Sequence, residues 1–385
     1  MKYRLGEICK IVSGSTPKTN VPDYWDGNIK WITPAEINED SYYITDTVRK
    51  ITEKGVKETG LSSFPKGTVI LSSRAPIGKV AIAGCEMYCN QGFKNLICSE
   101  KINNQYLYWF LKGKTDYLNF LGRGATFKEI SKKIVSSIEI DVPSLPDQEH
   151  IVAALDSADR MIRFRRRELN LLDNLVKSRF IEMFGIPEED NHGWGLTVLG
   201  SCCEINPRKN NDKRLVPGLK VSFIPMASVS VNGVINTSTI KNYDEVRTGF
   251  TYFSEGDVLF AKITPCMENG KGAVASNLCN GIGFGSTEFH VLRPLSGVSD
   301  SYWIYTLLSF KNFRQKAASK MTGTAGQKRV PKYFLENYEV SLPPISLQNE
   351  FADFVKQVDQ MKASVRSALD RSQLLFDALM QQYFG

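Results

Sequence analysis

The amino-acid sequence contains one pattern twice, at a constant offset of 200 residues. The end of the first copy, residues 151–185, aligns without a gap with residues 351–385, and both stretches finish in Phe-Gly. Positions taken at alternating steps of three and four are apolar in eight of ten cases in each copy. That spacing is typical of a coiled-coil seam. The pattern therefore predicts a tandem of globular domain, long helix, globular domain and long helix.

The predicted seam also includes four polar positions, which are Arg165, Arg179, Lys362 and Ser372. The apolar seam residues are Ile151, Leu155, Ala158, Ile162, Leu169, Leu172, Val176, Met183, Phe351, Val355, Val358, Val365, Leu369, Phe376, Leu379 and Tyr383.

The composition is that of an ordinary globular protein. The 385 residues are 42% hydrophobic and 23% charged, which is enough for two domains of about 150 residues each. No apolar run approaches the roughly 18 to 20 residues of a membrane span, so we expect a cytoplasmic protein with no membrane partner. The eight cysteines are expected to be free thiols, with a metal site as the alternative, because Cys85 and Cys89 lack a second pair at ligand spacing.

Apolar runs and turn residues give a mixed α and β character to each globular part. Residues 68–71 and 80–82 are predicted strands between Gly and Pro turns, and residues 105–121 are a predicted helix interrupted at Gly113. A capping residue, Ser144, starts the first long helix, which we expect to end near Phe184. The predicted ranges are 1–143 and 196–343 for the globular domains, 144–185 and 344–385 for the long helices, and 186–195 for the linker.

The basic residues are concentrated in the two globular domains. Residues 1–143 carry 20 Lys and Arg against 15 Asp and Glu, and residues 196–343 carry 17 against 11, within a total of +7. Two basic domains joined by near-neutral helices are typical of a protein that grips a polyanion at two places. Ordinary surface charge is the alternative interpretation of an excess this small.

Several long stretches carry a family resemblance. In the first copy they are SGSTPKTNVPDYWDGNIKWITPAEI at 13–37 and ILSSRAPIGKVAI at 70–82, and in the second AKITPCMENGKGA at 261–273, GFGSTEFHVLRP at 283–294 and TGTAGQKRVP at 322–331. Together with the linker FGIPEEDNHGW at 184–194, they resemble the specificity subunit of Type I restriction-modification systems. The resemblance covers essentially the whole chain.

The resemblance implies a fold of two globular α/β target recognition domains, separated by two long helices that pack as an antiparallel coiled coil in a pseudo-twofold repeat. It implies no catalysis, cofactor or metal site in this chain. The partners would be double-stranded DNA, two methyltransferase subunits that use S-adenosylmethionine for N6-adenine methylation, and restriction/translocase subunits that use ATP and Mg. Each domain would read one half of a bipartite, asymmetric site, and the coiled coil would set the spacer.

Base edges are read by polar side chains, and phosphates are held by Lys, Arg and backbone amides. Glycine-rich loops that contain such residues are therefore the candidate DNA contacts, although any single one can instead be a turn-stabilising or solvated residue. In the first copy they are Ser72, Ser73, Arg74, Lys79, Asn90, Gln91, Lys94, Arg123, Thr126 and Lys128. In the second copy they are Lys262, Thr264, Glu268, Asn269, Lys271, Ser286, Thr287, Glu288, Gln327, Lys328 and Arg329. Lys128 and Lys328 coincide at the 200-residue offset, which makes them the strongest candidates.

The first long helix has arginines at its middle, of which Arg160, Arg163, Arg166 and Arg167 are candidate contacts to a methyltransferase partner. A solvated helix face and a brace on spacer phosphates are the alternatives. Two other functional classes also remain open, a stand-alone DNA-modifying enzyme and a coiled-coil protein-protein scaffold. The enzyme is disfavoured because the glycine-rich segments at 281–285 and 323–328 lack the residues of a nucleotide-binding loop.

Overall fold

The computed structural model describes residues 1–124, 128–190, 192–324 and 326–385, without the side chain of residue 211. The chain divides into two compact units. Unit 1 comprises residues 1–164 and 369–385, and unit 2 comprises residues 165–368. Across the described ranges, no helix is both long and apolar enough to cross a membrane.

Unit 1 contains a five-stranded sheet in the order β2-β9-β6-β7-β4, a three-stranded sheet in the order β5-β3-β8, and the pair β1-β10. The strands are β1 (Lys2–Arg4), β2 (Cys9–Val12), β3 (Trp25–Ile32), β4 (Tyr43–Ile44), β5 (Lys50–Ile51), β6 (Val69–Ser73), β7 (Ile77–Ala83), β8 (Tyr88–Cys89), β9 (Asn95–Cys98) and β10 (Glu139–Asp141). The predicted strands at 68–71 and 80–82 are confirmed as β6 and β7.

The helices of unit 1 are α1 (Leu5–Ile8), α2 (Glu53–Thr59), α3 (Asn104–Gly113), α4 (Thr115–Leu121) and α5 (Lys132–Ser137), followed by the start of α6 (Leu145–Phe184). The predicted interruption at Gly113 is confirmed, because α3 ends there and α4 begins two residues later. The asparagine side chain of Asn103 caps α3, and Tyr108 and Trp109 on that helix are fully buried in the main core of the unit.

Unit 2 contains two four-stranded sheets, in the orders β12-β19-β16-β17 and β14-β13-β18-β15, and the pair β11-β20. The strands are β11 (Leu196–Val198), β12 (Cys203–Ile205), β13 (Lys220–Ile224), β14 (Ile240–Asn242), β15 (Thr251–Ser254), β16 (Val258–Ala261), β17 (Gly272–Val274), β18 (Ile282–Gly285), β19 (Phe289–Pro294) and β20 (Glu339–Ser341). The helices are the end of α6, then α7 (Tyr243–Val246), α8 (Ser301–Ser309), α9 (Lys311–Ser319), α10 (Lys332–Glu336) and the first part of α11 (Ile345–Phe384).

The two units repeat one plan. In each, the first strand pairs antiparallel with the last strand, through Tyr3 and Ile140 in unit 1 and through Thr197 and Val340 in unit 2. The last strands, β10 and β20, begin 200 residues apart, as do the long helices α6 and α11, each of 40 residues. The tandem repeat predicted from the sequence is therefore confirmed.

Both long helices begin and end as the sequence predicts. The hydroxyl of Ser144 accepts a hydrogen bond from the backbone N–H of Asp147 at 3.4 Å and donates one to the Asp147 carboxylate at 2.5 Å. Such a capping residue satisfies donors that a helix start leaves without partners. At the other end, Gly185 takes a positive φ of 72° and closes α6 with a bond from its N–H to Ile181 at 2.8 Å.

A buried glutamine fastens the start of each long helix to its unit. Gln148 and Gln348 are both 0% exposed. The Gln348 side chain accepts from the backbone N–H of Asp300 at 2.9 Å and donates to Val298 at 3.0 Å and Pro343 at 2.8 Å. Gln148 makes the equivalent three bonds in unit 1. Asp300 in turn caps α8, so one side chain connects two helix starts.

The predicted seam is buried or half-buried along both helices. In unit 2, Phe351 packs against Phe184 with ring centroids 5.4 Å apart, and Lys362 Nζ lies 2.8 Å from the Asp173 carboxylate. Higher numbers on α11 thus face lower numbers on α6, which is the predicted antiparallel arrangement. In unit 1, Ile151 and Tyr383 pack against one core.

The seam is wider than the spacing of three and four indicates. Val152, Phe180, Phe184, Ala352 and Phe384 are also buried. The reason is that, within each unit, the helical segments pack against the globular part as well as against each other. For the same reason the compact units differ from the predicted ranges 1–143 and 196–343, because each unit includes a part of both long helices.

Candidate nucleic-acid interface

Three loops of unit 1 meet at one end of its five-stranded sheet. The first follows β6, the second is residues 90–94 ahead of β9, and the third is the described part of residues 122–130. The backbone N–H of Ser73 donates to Gly92 at 2.7 Å, and that of Ile130 donates to Ser73 at 3.0 Å. Arg123 and Glu129 form a β-bridge within the third loop. We call this set of loops the unit 1 loop cluster, and it brings together candidates that are far apart in sequence.

The unit 1 loop cluster holds one carboxylate between two cations. The Glu129 carboxylate lies 3.1 Å from Lys94 Nζ and 3.9 Å from Arg74 Nη1. Lys94 is only 7% exposed, and its ammonium also donates to the Ser73 hydroxyl at 3.3 Å. A buried ammonium needs such partners because leaving water is costly for a charge.

Three of the predicted DNA contacts have buried side chains. Ser72 and Ser73 are 0% exposed on β6, and Lys94 is enclosed with them. The Ser72 hydroxyl donates to Pro76 at 2.7 Å and accepts from the backbone N–H of Lys79 at 2.9 Å. These side chains satisfy polar groups inside the cluster and do not face outward. A single sequence does not distinguish them from reading residues, because short polar residues serve both purposes.

The other candidates of unit 1 reach the surface to different extents. Gln91, Arg123 and Lys128 are exposed, and Gln91 accepts a hydrogen bond from the Thr16 hydroxyl at 2.5 Å. Arg74, Lys79 and Asn90 are half-buried; Lys79 donates to the Pro34 carbonyl at 2.9 Å, and Asn90 accepts from Gly92. Thr126 lies outside the described residues.

Three loops of unit 2 meet in the same way. They follow β16, precede β19 and precede α10. The backbone N–H of Lys262 donates to Glu288 at 2.9 Å, and that of Val330 donates to Lys262 at 2.8 Å. Thr264 and Lys328 are joined by three hydrogen bonds through the Thr264 hydroxyl and both backbones. We call this set the unit 2 loop cluster.

The candidates of unit 2 separate into an outer and an inner group. Glu268, Asn269, Thr287, Gln327 and Lys328 are exposed. The half-buried group makes contacts within the unit: Lys271 donates to Met226 at 3.2 Å, and Ser286 accepts from the N–H of Glu288 at 3.2 Å. The remaining half-buried candidates are Lys262, Thr264, Glu288 and Arg329.

A bidentate ion pair lies in the unit 2 loop cluster. Arg329 donates from Nε and Nη2 to the two carboxylate oxygens of Glu288, at 2.8 and 2.7 Å. The arginine holds the pKa of Glu288 below its usual range, while burial lowers the pKa of the neighbouring Lys262. Both units therefore place one carboxylate among two cations where three loops meet. The carboxylate comes from the third loop in unit 1 (Glu129) and from the second loop in unit 2 (Glu288).

Two residues of these clusters do not appear among the sequence candidates. Glu129 is one, although its place directly after the candidate Lys128 is a usable signal in the sequence. His290 is the other; its Nε2 lies 2.8 Å from the Val330 carbonyl, and its Nδ1 lies 3.1 Å from the Asn206 amide nitrogen. Burial lowers the pKa of His290. His290 therefore connects the third loop of unit 2 to the sheet. No pattern in the sequence indicates that His290, Val330 and Asn206 lie close together.

The helix arginines differ in their surroundings. In unit 1, Arg163 is half-buried, pairs with Asp159 at 2.5 Å and donates to the Asp40 carbonyl at 2.5 Å. Arg160 is exposed beside Met161 and Phe164, and Phe164 is 64% exposed. In unit 2, Arg166 and Arg167 are exposed.

Comparison with known proteins agrees with this arrangement. The family model for the Type I restriction modification DNA specificity domain matches residues 1–174 and again residues 191–369. The chain belongs to this family. Both matches include one loop cluster, so the repeat is also a repeat of the family's domain.

Individual relatives in this family match half of the chain or more. The MjaIX specificity subunit of a Type I restriction enzyme from Methanocaldococcus jannaschii is 29% identical over 92% of this chain and 85% of its own length. The EcoAI specificity subunit from Escherichia coli is 40% identical over 50% of this chain and 33% of its own length. The crystal structure of a Type I restriction-modification S subunit from M. genitalium shares the fold over 100% of this chain and 96% of its own, with a TM-score of 0.55 and 12% identity.

Proposed function

We propose that this chain is the DNA-specificity subunit of a Type I restriction-modification system, in which each unit reads one half of a bipartite site. The observation that carries the proposal is the pair of loop clusters. They occupy equivalent places in two copies of one fold, yet they present different side chains. Two equal scaffolds with unequal reading residues would recognise two unequal half-sites, which gives an asymmetric target.

The chain would act without catalysing a reaction itself. Two methyltransferase subunits would bind it and use S-adenosylmethionine for N6-adenine methylation, and restriction/translocase subunits would use ATP and Mg, all in the cytoplasm. Exposed Arg160, Arg166 and Arg167 are proposed contacts for a partner. The exposed apolar residues Met161 and Phe164 beside Arg160 support this, because exposed apolar surface with arginine is typical of protein interfaces.

The two long helices would set the number of unread base pairs between the half-sites. Each is a continuous helix of 40 residues, about 60 Å long at 1.5 Å per residue. The rise per residue fixes the length of each helix. The buried seam holds the two helices together, so this length would set the spacing.

Reconstitution tests the proposal. The purified chain alone should transfer no methyl group, whereas with methyltransferase subunits and S-adenosylmethionine it should direct N6-adenine methylation once on each strand of a split site.

Replacing Lys128 or Lys328 with Ala should weaken binding to all duplexes and reduce the salt slope by about one per lost phosphate contact. Lys57 is exposed on α2, outside the loop cluster, and K57A serves as the control. Methyl transfer by the isolated chain would contradict the proposal.

A further inference from the structure

The guanidinium of Arg329 is held unusually firmly for a half-exposed side chain. The backbone of Arg329 forms β-bridges with Ile263 and with Thr322. Its side chain makes the bidentate pair with Glu288 and donates from Nη1 to the Gln327 carbonyl at 3.1 Å. Even so, the Arg329 side chain is 41% exposed. Backbone and side chain are thus both fixed while part of the guanidinium faces solvent.

The part that faces solvent has a defined donor pattern. A guanidinium carries five N–H groups, and three of them have acceptors among the described residues. Glu288 occupies Nε and one N–H of Nη2, and Gln327 occupies one N–H of Nη1. One N–H therefore remains on each terminal nitrogen. A donor on each terminal nitrogen can form the fork that matches the O6 and N7 acceptors of guanine in the major groove.

A phosphate contact fits this geometry less well than a base contact. The carboxylate of Glu288 is 24% exposed and would repel a phosphate held by the same arginine. A base edge is neutral, so the carboxylate instead keeps the arginine in one orientation and reduces the side-chain freedom lost on binding. Among the described residues, Lys128 and Lys328 form no ion pair with an acid, unlike Arg329 and Lys94, and they remain the candidates for phosphate contacts.

We propose that Arg329 reads a guanine in the half-site recognised by unit 2, and that Glu288 is the positioning residue for Arg329. This inference rests on the proposed function. It assigns one base of the target to one residue, and it predicts no such fixed fork in unit 1. There the offset position is Glu129, and its nearest arginine, Arg74, lies 3.9 Å away.

Unit 2 supplies a matched control at the other end of the same strand pair. Arg293 donates from Nε and Nη2 to Asp257 at 2.8 and 2.7 Å, the same bidentate geometry. Asp257 precedes β16 and Lys262 follows it, so the Arg293 pair is separated from the loop cluster by the length of the strand. R293K should change the stability of the chain without changing the sequence that is methylated.

The test uses the full complex with its methyltransferase subunits. The wild-type target is found by sequencing methylated DNA, and the half read by unit 2 is the half that changes when residues 196–343 are exchanged with those of a relative. R329K and R329M should lower the preference for guanine at one position of that half by about 5- to 150-fold, which corresponds to about 1–3 kcal/mol. E288Q should reduce the same preference by a smaller factor and leave the other half-site unchanged.

A modified base separates reading from a structural effect. Substituting 7-deazaguanine for that guanine removes the N7 acceptor and should weaken binding by the wild type but not by R329M. A target half without a guanine, equal losses for every base in R329M, or an undiminished 7-deazaguanine effect in R329M would each overturn the inference. A wild-type complex that methylates no split site would instead overturn the proposed function.

Discussion

At the scale of single residues, the buried glutamines show how one side chain can fix an element boundary. Gln348 satisfies the N–H of Asp300 and two carbonyl oxygens in a place that water does not reach. Gln148 repeats these contacts at the 200-residue offset. Identical contacts in both copies indicate that the start of each long helix is fastened to the globular part of its unit.

Replacing Gln348 with Ala should destabilise unit 2 by about 2–4 kcal/mol, because a buried donor and two buried acceptors lose their partner. Gln360, which is exposed on the same helix, provides the control, and Q360A should change stability by less than about 0.5 kcal/mol. Chemical denaturation followed by fluorescence measures both. Equal effects of the two substitutions would show that the buried hydrogen bonds contribute little.

At the scale of elements, the polar position Lys362 decides how the seam of unit 2 pairs. Its side chain is 8% exposed and contacts Asp173 on α6 at 2.8 Å and Asp359 on its own helix at 3.4 Å. The offset position in the first copy is the apolar Ile162. A buried charge tolerates few alternative partners, so this pair favours one alignment of the two helices over a shifted one.

The substitution K362M should destabilise the chain by about 1–3 kcal/mol, because the half-buried Asp173 loses its cation. The double variant K362M/D173L should recover most of this loss, since an apolar pair of similar size needs no charge partner. The exposed pair of Lys356 and Asp353 on the same helix gives the control K356M, with an expected change of less than about 0.5 kcal/mol. A double variant no more stable than K362M would argue against the pairing.

A second prediction at this scale concerns the length of the helices. Seven residues inserted in register after Leu169, matched by seven near Val365, add about 10 Å at 1.5 Å per residue. At about 3.4 Å per base pair, the spacer in the methylated site should grow by about three base pairs, with both half-sites retained. Sequencing of methylated DNA measures this. A folded, active variant with an unchanged spacer would show that the helices do not set the distance.

At the scale of the whole molecule, the repeat predicts that the two units act independently on DNA. Each unit has its own cores and its own loop cluster. Exchanging residues 196–343 for the second domain of a relative should therefore change one half of the recognised site and leave the other half and the spacer as they were. The methylated sequence before and after the exchange gives the answer. A change in both halves would contradict independent reading.

The sequence by itself determined the repeat, the two long helices and their ends, and most of the seam. These follow from local signals: periodicity, the cap at Ser144 and the glycine at position 185 act within a few residues, and a strong pattern over 40 residues leaves little freedom. The family resemblance added the DNA-reading role and drew attention to the glycine-rich loops that form both clusters.

Only the tertiary structure decided which loop residues face outward and which support them. Ser73 and Arg74 are adjacent, yet the Ser73 hydroxyl is buried on β6 and the Arg74 side chain reaches the surface. Glu288 and Arg329 are 41 residues apart and become a bidentate pair because three loops meet. Such contacts depend on long-range strand pairing and on which charges are removed from water. The residues next to each position in the sequence determine neither of these.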